Sequence, residues 1–104
     1  MSWKLFLDDN RDPKTKDFTL ARSYKSAVKL VQRKGCPIYI AFDYDLGEDE
    51  SGLNFANWLI QKDELHYGKF LPEGFGFECH STDTEGKVSI EKVMSEYLSS
   101  KRNR

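Results

Sequence analysis

The run Ile38-Tyr-Ile-Ala-Phe42 is apolar throughout and stops at Asp43-Tyr44-Asp45-Leu46-Gly47. A continuous β-branched and aromatic run of this length reads as a strand covered on both faces, the kind found inside a parallel sheet. In open α/β sheets the chemistry gathers where such strands end, at their carboxyl tips. Two further runs share this grammar. Trp3-Lys-Leu-Phe-Leu7 stops at Asp8-Asp9, and Gly74-Phe-Gly-Phe-Glu-Cys79 stops at His80-Ser81. A fold that joins these three tips concentrates four aspartates and a histidine in one place.

The intervening segments supply the means. Asn10-Arg-Asp-Pro13 is a turn cluster, and Phe18–Ala21 reads as a second, short strand. Ser23 is a candidate N-cap for a helix over Tyr24–Lys34, with Tyr24, Ala27, Val28 and Val31 at helical spacing and Gly35 as its stop. Pro37 opens the third strand, Ile38–Phe42. After an acidic loop, a second helix starts at Ser51 or Gly52 and runs to about Glu64, with Leu53, Ala56, Leu59 and Ile60 as its stripe. Phe75–Cys79 is the fourth strand. Thr82-Asp83-Thr84 offers a cap for a last helix carrying Ile90, Val93, Met94, Tyr97 and Leu98. Strands alternating with helices predict βαβ units and a parallel sheet. Right-handed crossovers predict helices on both faces, hence three layers, with no helix between the first two strands. Strand order 2-1-3-4 makes strands one and three neighbours and places a crevice between their tips.

With 104 residues the chain suits one domain, predicted over residues 1–99, with 100–104 as a basic, frayed tail. No stretch is long enough for a membrane span, and the first apolar run is too short for a signal peptide and ends in acids. A cytoplasmic protein is expected, with no membrane partner. The net charge of −1 hides an asymmetry: residues 1–34 hold nine basic and four acidic groups, residues 35–104 seven and thirteen. That pattern provides no basic footprint for duplex DNA. Cys36 and Cys79 would lie at opposite ends of parallel strands, roughly 15 Å apart, too far for a disulfide. Reduced thiols fit a cytoplasmic location.

Each candidate residue has a bland reading beside the chemical one. Adjacent acids such as Asp8-Asp9 are commonly solvated surface. Facing another acidic tip, crowded carboxylates need a shared proton or cation, and hard oxygen ligands suit a divalent ion such as Mg2+. Asp8, Asp9 and Asp43 are the candidate metal ligands. Asp43 and Asp45 can serve a turn, or, two residues apart, both face the crevice. Asp45 is the first candidate for general base, with Asp43 as its alternative. His80, at a tip opposite four aspartates, is placed to act as general acid. Arg11 fits a phosphate clamp, since a guanidinium grips two oxygens at once. Ser81 and the amides opening the last helix can hold a phosphate oxygen, although Asp83 opposes this unless it is itself the cap. Lys14, Arg22, Glu48, Asp49 and Glu50 read as surface charges, and His66 as a loop residue.

Two acids after strand one and an aspartate at the central tip resemble the layout of two-component receiver domains, a flavodoxin-like α/β fold. There Asp8-Asp9 match the metal-binding pair, Asp43 the phospho-accepting residue, and Asp45 the position that lends a backbone carbonyl. The chain departs from that pattern in lacking the first crossover helix, a fifth strand and its lysine. Ser81-Thr82 only partly echoes the fourth-strand hydroxyl. The sequence is more similar to a divergent receiver-like family, the cyclic-phosphate processing receiver domains. Its motifs read here as Leu7-Asp-Asp-Asn-Arg-Asp-Pro13, Phe42-Asp-Tyr-Asp-Leu-Gly47 and His80-Ser-Thr-Asp-Thr-Glu-Gly86. Tyr44 stands where the family has histidine, and Asp83 where it has asparagine. The resemblance runs from residue 4 to about 98.

This resemblance implies hydrolysis of a cyclic phosphodiester on a nucleotide, an ADP-ribose-type product or an RNA end, in RNA repair or in nucleotide signalling around phage defence. It implies Asp8, Asp9 and Asp43 around a divalent ion or water, Asp45 as base, His80 as acid, and Arg11 with Ser81 on the phosphate. Two other functions fit the same residues. One is a pseudo-receiver switch phosphorylated at Asp43 and read by a protein partner. The other is a nucleotide-binding or inhibitor protein without catalysis.

Overall fold

Alternation along the first strand sets the architecture. The computed structural model describes residues 2–102. In β1 (Lys4–Leu7), Leu5 and Leu7 are fully buried while Lys4 and Phe6 point the other way. β1 pairs in parallel with β2 (Phe18–Ala21) on one side and β3 (Tyr39–Phe42) on the other, and β4 (Gly76–Cys79) extends the sheet beyond β3. The strand order is 2-1-3-4, as expected, so β1 and β3 are neighbours and the order reverses between them. The registers align Leu5 with Thr19 and Ile40, Leu7 with Ala21, and Phe42 with Cys79. These residues share one face.

Three helices cover that face: α1 (Tyr24–Lys34), α2 (Gly52–Leu65) and α3 (Thr84–Arg102). Ser23 and Ser51 cap α1 and α2, each in a reciprocal pair with the residue three positions on. α2 packs between α1 and α3. Ala27, Val31, Phe55, Leu59, Ile90 and Met94 close with Leu5, Leu7, Ile40 and Phe42 into one core.

The expected helices on both faces are not found: all three lie on one face, and the fold has two layers rather than three. The reason is the direction of travel. β2 to β3 and β3 to β4 both step across the sheet in the same direction, so their right-handed crossovers fall on the same side. Only β1 to β2 steps back, and that connection has no helix. The second face therefore carries Lys4, Phe6, Phe18, Tyr39, Ala41 and Glu78 under the loop that joins β1 to β2.

α3 also runs through residues 100–102, where the sequence suggested a frayed tail. Lys101 Nζ reaches Asp63 Oδ2 at 2.9 Å and ties down this last turn. Asn103 and Arg104, the rest of that expected tail, lie outside the described residues. No helix among the described residues is long and apolar enough to cross a membrane.

Candidate functional site

The three strands continue their hydrogen bonding for one residue past their ends. Asp8 N donates to Ala21 O, Asp43 N to Leu7 O, and His80 N to Phe42 O, at 3.1, 3.0 and 2.9 Å. Asp8, Asp43 and His80 thus form a row across the sheet, each two residues beyond Phe6, Ala41 and Glu78. Side chains two apart share a face, so the row stands at the top of the open face. Among the described residues, these three bring ligand-type atoms within 4.8 Å of one another.

Asp8 is the hub. Its Oδ1 accepts from the amides of Asn10 (2.9 Å) and Arg11 (2.8 Å), and its Oδ2 faces Arg11 Nε at 3.1 Å and His80 Nε2 at 2.9 Å. The side chain is 1 % exposed. Burial pushes its carboxyl up, but the amides of Arg11 and Asn10, the His80 contact and the Arg11 charge outweigh it and hold Asp8 below the usual carboxylate range. Asp8 therefore only accepts, and His80 Nε2 carries the proton between them. His80 Nδ1 is buried without a hydrogen-bond partner, and the ring stacks on Phe6 with centroids 4.7 Å apart.

Arg11 joins both acids, since its Nη2 also lies 3.8 Å from Asp43 Oδ1. Arg22, read from sequence as a surface charge, holds this turn in place. Its Nη1 donates to the carbonyls of Asp8 (3.2 Å) and Arg11 (2.6 Å), and its Nη2 pairs with Asp12. Asp43 is 6 % exposed. Burial raises its proton affinity and the Asp8 charge adds to this, while a hydrogen bond from Ser81, Arg11 and His80 offset the rise only in part. The two carboxyls are thus driven apart, Asp8 down and Asp43 up.

Asp8, Asp9, Asp43 and Asp45 line one cleft of about 360 Å³ together with Arg11 and Thr82. Asp9 and Asp45 are exposed there. Asp45 Oδ1 accepts from Gly47 N at 2.9 Å, which is turn chemistry. His80 lines an adjoining slot and meets the cleft through Asp8. A larger cavity, about 490 Å³, lies between Leu71–Phe75 and the end of α3, away from these tips. The acidic side chains and Arg11 gather at the smaller one.

Of the amides that open α3, Gly86 N is already engaged. Asp83 caps the helix through Gly86 N (2.9 Å), and Ser81 Oγ accepts from Asp83 N (3.1 Å). Ser81 thus serves Asp43 and the cap, and Asp83 supplies the cap that the sequence allowed for. Tyr44 packs flat on Gly86, where a Cβ would sit 2.1 Å from its ring. Tyr44, one of the two departures from the resembled motifs, is therefore seated against Gly86 of the third. Gly52 is equally required, because a Cβ there would lie 1.9 Å from Asp43 O. Glu48, read as solvated, accepts from Tyr24 N at 2.9 Å and so reaches the start of α1. His66 stands at the C-cap of α2 and stacks on Phe70, far from the site in sequence and role.

Sequence reasoning missed the open-face residues Phe6, Phe18 and Glu78. Their signal was parity, since Phe6 and Glu78 precede Asp8 and His80 by two. Cys36 and Cys79 are both free thiols, and burial pushes Cys36 up to about 12.

No curated protein and no solved structure shows a significant match to the chain. Residues 3–96 match the sequence profile of the cyclic-phosphate processing receiver domain, a span that takes in all four strands and every residue of the Asp8–Asp43–His80 row. The chain therefore belongs to the cyclic-phosphate processing receiver domain family.

Proposed function

We propose that the protein opens a cyclic phosphodiester on a nucleotide or an RNA end by hydrolysis. The observation that carries this reading is the split between the two buried carboxyls. Asp43, with raised proton affinity, suits a general base, while Asp8, held ionised, fixes Arg11 and His80. A guanidinium has five N–H donors. Arg11 spends some on Asp8 and Asp43 and, being about half exposed, keeps others for a phosphate.

These placements support the following course of reaction. The cyclic phosphate docks on the free edge of Arg11. Asp43 takes a proton from a water as its oxygen bonds to phosphorus. The ring P–O bond breaks, and His80, bearing a proton on each ring nitrogen for this step, turns Nε2–H from Asp8 Oδ2 to the departing oxygen and gives it that proton. The product is a phosphate monoester with a free hydroxyl, and solvent returns the proton from Asp43 to His80. Asp8 is a positioning residue. Asp43 is preferred to Asp45 as base because Asp45 is exposed and turned toward Gly47.

Asp8, Asp43 and His80 bring ligand atoms close enough to hold a divalent cation, but such an ion would compete with Arg11 and His80 for Asp8. A carboxylate offers about four acceptor positions, and Asp8 already meets four donors. Asp9 is not in the 4.8 Å group, where a histidine nitrogen stands instead. Arg11 supplies positive charge between the acids, and the steps above need no other cation. A reducing cytoplasm fits the two free thiols.

The test is a screen of 2′,3′-, 3′,5′- and 1″,2″-cyclic phosphates, with chelator and with magnesium, reading the monoester product. Ring opening that is lost in Asp43→Asn is expected. Failure to open any of the three rings would sink the proposal.

A further inference from the structure

The face without helices is not bare. Below the Asp8–Asp43–His80 row lies a slot of about 340 Å³ between the sheet and the loop at Arg11–Thr15. Its floor is Phe6, Phe18 and Ala41, and Glu78 and His80 stand along one side. Phe6 and Phe18 meet edge to face at 5.7 Å, and Phe6 also stacks on His80, 8° from parallel. Ala41 is the small residue in the row that registers Phe6 with Ala41 and Ala41 with Glu78, so it leaves depth between an aromatic ring and a carboxylate.

We propose that this slot receives the nucleobase of a nucleotide whose cyclic phosphate sits at Arg11 and His80. Three observations select this occupant. Arg11 lines both the acidic cleft and the slot, so one ligand can span them. Phe6 is buried with its ring on His80, so half-buried Phe18 is the ring of the floor left to meet a flat π-system, and base–aromatic stacking tolerates any base. Polar groups then stand at the edge of an otherwise apolar surface, as in small-molecule sites. Glu78 Oε1 accepts from Tyr39 OH at 2.9 Å, and its other oxygen remains for a base N–H. Glu78 is two residues below His80, roughly 7 Å along the strand, so base and phosphate groups bind at separate levels of the same face.

The inference rests on the proposed hydrolysis, and the experiment separates the two. Phe18 is half-buried on the edge strand, and Phe18→Leu keeps apolar volume while removing the stacking surface. Turnover is compared for a nucleoside 2′,3′-cyclic phosphate and for a base-free five-membered cyclic phosphodiester, with full-length wild type and Phe18→Leu. The variant is expected to lose about tenfold or more in kcat/KM on the nucleotide, the size expected of a lost stack, and little on the base-free ring. In parallel, a nucleoside 3′-monophosphate is titrated into the labelled wild-type chain, and amide shifts at Phe6, Phe18 and Glu78 are expected. Equal losses on both substrates, or none on either, would overturn the slot while leaving the hydrolysis standing. Should no cyclic phosphate be opened, the hydrolysis fails and the titration alone decides: silent amides at those positions overturn the slot. If the same amides instead shift on diluting the protein alone, a second copy covers this face and the proposal is wrong.

Discussion

Asp8 Oδ2 and His80 Nε2 lie 2.9 Å apart although 72 residues separate them in the chain. The contact exists because β3 is inserted between β1 and β4, with all three strands in register to their tips. Asp8 is buried and fully engaged, so it decides which nitrogen of His80 carries the proton and where the ring points. Converting Asp8→Asn places an N–H or a weaker acceptor there. We expect turnover to fall about 10²–10⁴-fold, the range for a misplaced acid–base group. Nitrogen shifts of the His80 ring, recorded on labelled protein, should change with it, which a purely structural role for Asp8 would not produce.

His80 itself should be replaceable without loss of the fold, because it is partly exposed at the sheet edge. His80→Gln is expected to keep the melting temperature within a few degrees and to lower single-turnover hydrolysis at least about a hundredfold. Unchanged turnover would reduce His80 to a packing partner of Phe6.

Asp43 makes a signed pH prediction. Its proton affinity is raised in the fold, first by burial and then by Asp8. Such a group contributes stability below its unfolded pKa and loses it as pH rises through the higher folded value. At neutral pH wild type therefore carries a penalty that Asp43→Asn removes. The variant should have the higher urea midpoint at neutral pH, with the gap closing under acid conditions. For the same reason the acidic limb of wild-type activity should lie above the ordinary aspartate range. A variant less stable than wild type at neutral pH would contradict this account.

Asp63 should be the costliest acid to remove. It is fully buried on α2 and accepts from Phe70 N and Leu71 N at 2.9 and 2.8 Å, from Tyr97 OH at 2.6 Å, and pairs with Lys101 at 2.9 Å. Burial pushes its carboxyl up, but the Tyr97, Leu71 and Lys101 contacts together hold it below the usual range. Its contribution is present above the unfolded pKa and lost as pH falls through the lowered folded value. Asp63→Ala strands these donors and should cost about 3–5 kcal/mol by urea unfolding at neutral pH, with no effect on the geometry of the Asp8–His80 pair. A cost near zero would show that the loop and α3 find other partners.

Magnesium separates a resident ion from Arg11 as the source of positive charge. With Asp8 saturated, millimolar magnesium should leave the melting temperature unchanged, and chelator should leave turnover unchanged. Any ligand bound only by the folded state raises apparent stability by mass action, so a magnesium-dependent rise that disappears in Asp43→Asn would restore a metal site.

The sequence by itself determined the elements and their order. Leu5 and Leu7, Ile40 and Phe42, and the stripes of α1, α2 and α3 carry periods that match the strands and helices they form, because burial of one face is a local pattern. It also named Asp8, Asp43 and His80, since each directly follows an apolar run. What it left open depended on distances across the chain. Whether helices cover one face or two follows from the direction of successive crossovers, and only the missing β1–β2 helix leaves Phe6, Phe18 and Ala41 under a loop. Whether Asp9 or His80 joins Asp8 and Asp43 follows from strand register, which no single run of residues specifies. The opposite shifts of Asp8 and Asp43 arise from which donors each carboxylate meets, and those come from a turn at Asn10–Arg11 and from elements far apart in the chain. Patterns of burial are written locally, while proton affinity is a property of assembled neighbours, so the residues of this site were legible and their roles were not.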